Sequence, residues 1–90
     1  MIANVFITGF VQGVGFRRFV KKQAVKLGLT GWVKNLPDNR VEALFSGSQE
    51  TIEKIISICK KGPFLSEVKD VEVLWDQGSE GRTYKTFEIT

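Results

Sequence analysis

Along this chain the spacing of apolar residues switches between every second residue and every third or fourth, and the order of those switches constrains the fold most. Residues 2–11 are rich in Val, Ile and Phe in approximate alternation and read as a strand that ends where glycines begin. Phe16, Phe19, Val20, Gln23, Ala24 and Leu27 then follow helical spacing with one polar interruption. Gly28 stands where a helix-ending glycine belongs, so a helix is predicted over 16–27. "LTGWVKNL" returns to a strand, Pro37-Asp38-Asn39 reads as a turn, and "RVEALFSG" is its hairpin partner with Val41, Ala43 and Phe45 on one face.

The second half repeats the scheme. Ser48 is a suitable N-cap and Glu50 lies in the first turn, where the helix dipole favours a negative charge. Ile52, Ile55, Ile56 and Cys59 continue an apolar stripe, and Lys60-Lys61-Gly62-Pro63 closes the helix. Val71, Val73 and Trp75 alternate in a fourth strand, the polar run "DQGSEGR" forms a loop, and "TYKTFEIT" supplies a last short strand with Phe87 and Ile89 expected to face inward. The order is βαββαβ with an additional C-terminal strand. It implies an α+β, ferredoxin-like split βαβ sandwich: an antiparallel sheet with two helices on one face. At 90 residues the chain reads as one domain, 1–90, that buries a little over ~60% of its unfolded surface.

Composition removes several kinds of chemistry. The chain has no histidine, so the commonest general base and the Ser-His and Cys-His nucleophile pairs are absent. A single cysteine, Cys59, excludes an intrachain disulfide and a cysteine-based metal cluster, as befits a reduced cytoplasm. Cys59 reads as a small buried hydrophobe and not as a reactive thiol. The start "MIANVFITGF" has neither the basic segment nor the apolar length of a signal peptide or membrane span, so a soluble cytoplasmic protein is expected. The net charge of +3 favours phosphate-bearing partners only mildly, because both signs are interspersed along most of the chain.

Between the first strand and the first helix lies "GFVQGVGFR", residues 9–17. Amides at a helix N-terminus have no intrahelical acceptor and carry partial positive charge, and glycines let successive amides converge on an anion. Arg17 adds a planar donor fork suited to two phosphate oxygens. Spacing alone leaves a blander reading open, in which the glycines turn a tight corner and Arg17 is solvated. An RNA-binding reading of "GVGFRRF" as a glycine-aromatic motif fails on placement. Such aromatics stand on a sheet face, whereas Phe16 and Phe19 fall on a helix stripe.

"GFVQGVGFR" resembles the first signature of the acylphosphatase family, G-x-V-Q-G-V-x-[FY]-R, at every specified position: Gly9, Val11, Gln12, Gly13, Val14, Phe16 and Arg17. The second signature, G-[FYW]-[AVC]-[KRQ]-N, appears as Gly31-Trp32-Val33-Lys34-Asn35. Further likeness runs through "NLPDNRVEALFSG", "KKGP" and the closing "FEI". The resemblance implies hydrolysis of the carboxyl-phosphate bond of a small-molecule acyl phosphate, giving a carboxylate and inorganic phosphate without metal or cofactor. It implies that Arg17 and the backbone amides of Gly13, Val14, Gly15, Phe16 and Arg17 hold the phosphate, and that Asn35 positions the attacking water. In isolation Asn35 reads as a strand-end residue bonding its own turn. No metal site, nucleic acid or membrane partner is expected, and the chain is expected to act as a monomer.

Three positions depart from the family's habit. Phe10 stands where a basic or polar residue is common, Leu36 where a small hydroxyl residue occurs, and Asn39 where a turn glycine is frequent. Asn39 adopts positive φ readily, so its turn should survive. Trp32 and Trp75 read as packing residues, and Arg18 as a solvated residue that at most broadens the positive field. The alternative to an enzyme is a non-catalytic phosphate-binding domain on the same fold, or a part of a larger carbamoyl-phosphate-processing protein such as the hydrogenase-maturation carbamoyltransferases; the short chain argues against the latter.

Overall fold

The computed structural model describes residues 1–76 and 83–90. Its elements are β1 (Ile2–Phe10), α1 (Phe16–Lys26), β2 (Thr30–Asn35), β3 (Val41–Ser46), α2 (Gln49–Lys61), β4 (Glu67–Asp76) and β5 (Phe87–Ile89). The order is the one read from the apolar spacing. The polar loop expected after β4 falls, beyond Asp76, outside the described residues.

One five-stranded sheet has the order β4-β1-β3-β2-β5. The pairs β1–β3, β1–β4 and β2–β3 are antiparallel. The short β5 runs parallel to β2, with Gly31 opposite Phe87 and Val33 opposite Ile89, so the sheet is mixed where an all-antiparallel one was expected. The ferredoxin-like α+β class is unchanged by that edge.

Alternation along β1 and β3 puts Ala3, Val5, Ile7, Ala43 and Phe45 on the helix-covered face, all fully buried. Val20 and Ala24 of α1 and Ile52, Ile55 and Cys59 of α2 complete one core with them. Phe87 joins the core and stacks on Phe45 with centroids 5.7 Å apart, which fastens the three-residue β5 to the sheet. Ser48 caps α2 as expected, its side chain accepting from the Thr51 amide at 3.2 Å.

Ile89 and Trp75 are in phase with the inward Phe87 and Val73, yet they are 40% and 37% exposed, because each lies on an edge strand. Conversely Leu44, one residue out of phase with the core face, is buried on the side away from the helices.

The sheet also aims the start of α1. The pairing of β1 with β4 slips at Thr8/Gly9, where Lys69 is the additional residue. A Cβ on Gly9 would collide with the carbonyl oxygen of Glu67, so this first glycine of the loop motif serves a close backbone approach.

Candidate active site

The chain leaves β1 at Phe10, buries Val11 in the core and turns through residues 12–15 into α1. Gly13 and Gly15 both have positive φ, 77° and 78°, and a Cβ on either would meet nothing within 4 Å. Their requirement is therefore conformational, and the space beside them is open. Gly15 is the N-cap of α1 in the left-handed region and offers no capping side chain. The first intrahelical bond of this end runs from the Phe19 amide to the Gly15 carbonyl, 3.0 Å. The amides of Phe16, Arg17 and Arg18 consequently have no helix acceptor.

Phe16 anchors this turn. Its ring is buried, packs edge-on against Phe19 at 6.2 Å and lies under Gly62 at the end of α2. Both aromatics thus sit in the helix layer, not on the open face of the sheet where base stacking would need them. Val14 points its side chain toward the core, where it packs as a half-buried residue.

Gly13, Gly15, Phe16, Arg17 and Asn35 share one cleft of about 500 Å³. Val11 contributes buried apolar surface to it, and the exposed Arg18 and Ile89 stand at its edge. Among the described residues no acidic side chain lines the cleft. Arg17 and Asn35, 18 positions apart in the chain, both line this cleft.

Asn35 is the last residue of β2. Its Oδ1 is buried and, among the described residues, has no hydrogen-bond partner. A buried acceptor without a partner costs about 1–3 kcal/mol, and this one lies on the wall of the cleft. The local-turn reading of Asn35 fails here, since the hairpin that follows is closed by other groups. The Leu36 amide donates to the Arg40 carbonyl at 2.8 Å, and the Asn39 amide to Leu36 at 3.2 Å, with Asn39 at φ 73°. Arg40 Nε donates to Asp38 at 2.8 Å, and this guanidinium holds the Asp38 carboxyl below its ordinary value.

Gln12 fastens the two halves of the site. Its Nε2 donates to the carbonyls of Leu36 and Arg40, each at 2.9 Å. Gln12 belongs to the loop motif, but its partners lie 24 and 28 residues away, so no local pattern in the sequence reveals this task. Ile89, on the same strand face as Phe87, reaches the cleft from the exposed end of β5.

The sequence pattern that describes acylphosphatases matches residues 3–89. The chain belongs to the acylphosphatase family. It is 50% identical over 74 residues to an acylphosphatase of Trichormus variabilis, covering 82% of this chain and 73% of that one. With an acylphosphatase of Archaeoglobus fulgidus the identity is 44% over 90 residues, covering 99% and 98%. The fold is similar to the crystal structure of acylphosphatase from Bacillus subtilis, with a TM-score of 0.93 and 38% identity over 100% of this chain and 99% of that chain. The acylphosphatase recognised from two short segments thus stands as an enzyme of the hydrolase class, acting on acyl phosphates.

Cys59 takes no part in the acylphosphatase cleft. It is a fully buried free thiol whose pKa burial pushes up to about 12, so it packs as an apolar residue. Among the described residues no group of three or more His, Cys, Asp or Glu is placed to hold a metal ion. Among the described residues no helix is long and apolar enough to cross a membrane.

Proposed function

We propose that the cleft hydrolyses acyl phosphates by attack of water on phosphorus, with Arg17 and the amides from Gly13 to Arg17 around the phosphoryl oxygens and Asn35 orienting the water. The observation that carries this reading is the unpartnered Oδ1 of Asn35 in the same cleft as Arg17. An amide oxygen accepts a hydrogen bond from water, and the adjacent NH2 donates to a phosphate oxygen. Asn35 thereby fixes where the water stands without removing its proton.

The chemistry asks little more. The water oxygen forms a bond to phosphorus as the bond from phosphorus to the acyl oxygen breaks, and the carboxylate leaves with that electron pair. The proton of the water passes to a phosphoryl oxygen of the substrate. A carboxylate is a good leaving group, so positioning and charge stabilisation of a loose transition state supply the catalysis. Neither imidazole nor a metal is called for in this scheme. The reaction is assigned to a monomer in the cytoplasm acting on a small molecule, in keeping with the free buried thiol of Cys59.

Steady-state hydrolysis of benzoyl phosphate in the presence of EDTA, with inorganic phosphate as a competing product, separates the two roles. Arg17→Gln should lower kcat/KM by at least ~10²-fold and weaken phosphate inhibition, as loss of a donor to a developing charge does. Asn35→Ala should lower kcat by a similar ~10²-fold while phosphate inhibition changes by less than about three-fold. Because the orphaned acceptor is gone, Asn35→Ala should also be at least as stable as the wild type in urea. Phosphate binding without turnover in the wild type would favour a non-catalytic binding domain.

A further inference from the structure

The amino-terminal helix carries an unbalanced charge. α1 reads FRRFVKKQAVK, with Arg17, Arg18, Lys21, Lys22 and Lys26 and no acidic residue, in a chain whose net charge is only +3. Its first turn holds two arginines and no acid, although the positive end of a helix dipole disfavours cations. Arg17 and Lys21, Arg18 and Lys22, and Lys22 and Lys26 are like charges four residues apart, a spacing that destabilises an isolated helix. Among the described residues the ion pairs join Lys34 to Glu42 and Arg40 to Asp38, and none involves α1.

Two of these cations have ready accounts. Lys26 lies in the last turn, where the dipole favours it. Arg17 is taken by the phosphoryl group in the reading above. Arg18 is exposed, lines the cleft and has no ion-pair partner among the described residues; Lys22, also exposed, lies one helical turn further along the same face, a rise of about 6 Å. The apolar Ile89 also borders the cleft, and among the described residues no carboxylate there neutralises Arg18.

We infer that Arg18, with Lys22 behind it, selects acyl phosphates whose acyl half carries a second negative charge, about one helical turn from the phosphoryl group. This rests on the phosphoryl group sitting at Arg17. The cations run outward from the cleft itself, so an acyl chain leaving the phosphoryl site along α1 meets Arg18 first and Lys22 next. An anion beside them relieves this repulsion.

Benzoyl phosphate and 3-carboxybenzoyl phosphate differ by one carboxylate at a remote ring position, and the ratio of their kcat/KM values reads the selection. Arg18→Gln should lower the ratio of carboxylated to plain substrate about five-fold and Lys22→Gln about two-fold, the size of exposed charge pairs. Lys60→Gln, the same charge loss on α2, should leave the ratio within error. Raising KCl to about 0.5 M should shrink the wild-type preference. An unchanged ratio in Arg18→Gln overturns the proposal. So does an equal loss on both substrates, which would assign Arg18 to the phosphoryl group. Arg17→Gln retaining full turnover on both substrates would instead refute the phosphoryl site on which the inference rests.

Discussion

The carboxamide of Gln12 donates a 2.9 Å hydrogen bond to the carbonyl of Leu36, the residue that follows Asn35. A second bond of 2.9 Å reaches Arg40 across the same hairpin. The loop that ends in Arg17 and the strand that ends in Asn35 are therefore held at a fixed separation by one side chain. Distances between reacting groups matter at the sub-ångström scale in positioning catalysis, so such a clamp bears on rate although it does not touch the cleft.

Gln12→Ala should cost about 1–3 kcal/mol of stability, because two hydrogen bonds are lost in a half-buried place while each carbonyl keeps one backbone donor. It should also lower kcat by roughly ten-fold at a temperature where the variant is fully folded. Urea unfolding and benzoyl phosphate kinetics on the same preparation check both. A stability loss with unchanged kcat would reduce Gln12 to a purely structural bond.

The glycines of the two motif segments should separate into two classes. Gly13→Ala or Gly15→Ala meets open space and suffers only the left-handed backbone, about 1–2 kcal/mol. Gly31→Ala would drive a Cβ into the Leu44 carbonyl oxygen and should cost ~3 kcal/mol or more. Gly15→Asn should be milder than Gly15→Val, since Asn tolerates positive φ. Thermal melts of the five variants give the order; Gly31→Ala proving no worse than Gly15→Ala would contradict the placement of β2 against β3.

Cys59 makes stability depend on alkaline pH. Burial raises its thiol from 9.0 to about 12. Below pH ~9 the thiol is neutral in both states; above it the unfolded chain loses the proton and the folded chain keeps it, so unfolding gains. The excess melting temperature of wild type over Cys59→Ala should therefore shrink as pH rises from about 8 to about 11. Parallel curves for the two proteins would show that the thiol ionises equally in the folded state. Native protein should also resist iodoacetamide near pH ~8.

Periodicity made most of the fold legible, because the two amphipathic helices and the alternating strands each bury one face of the same core. Ser48, Asn39 and Gly28 were legible for local reasons: an N-cap, and two positive φ values, 73° at Asn39 and 74° at Gly28. What escaped was non-local. The parallel pairing of β5 rests on three residues and on the stacking of Phe87 against Phe45, 42 positions away in the chain. Leu44 is buried on the face opposite the helices, which alternation assigns to solvent. In the cleft, Arg17 and Asn35 were legible through paired motifs, whereas the anchoring of Gln12 and the unpartnered state of Asn35 Oδ1 belong to three-dimensional contacts with no signature in spacing.

The central claim is that water attacks phosphorus, from a position set by Asn35, while Arg17 and the loop amides hold the phosphoryl oxygens. Hydrolysis of benzoyl phosphate in water enriched in oxygen-18, followed by mass spectrometry of both products, tests it most directly. The label should appear in inorganic phosphate and be absent from benzoate. Label in benzoate would place the attack on the acyl carbon and contradict the assigned geometry.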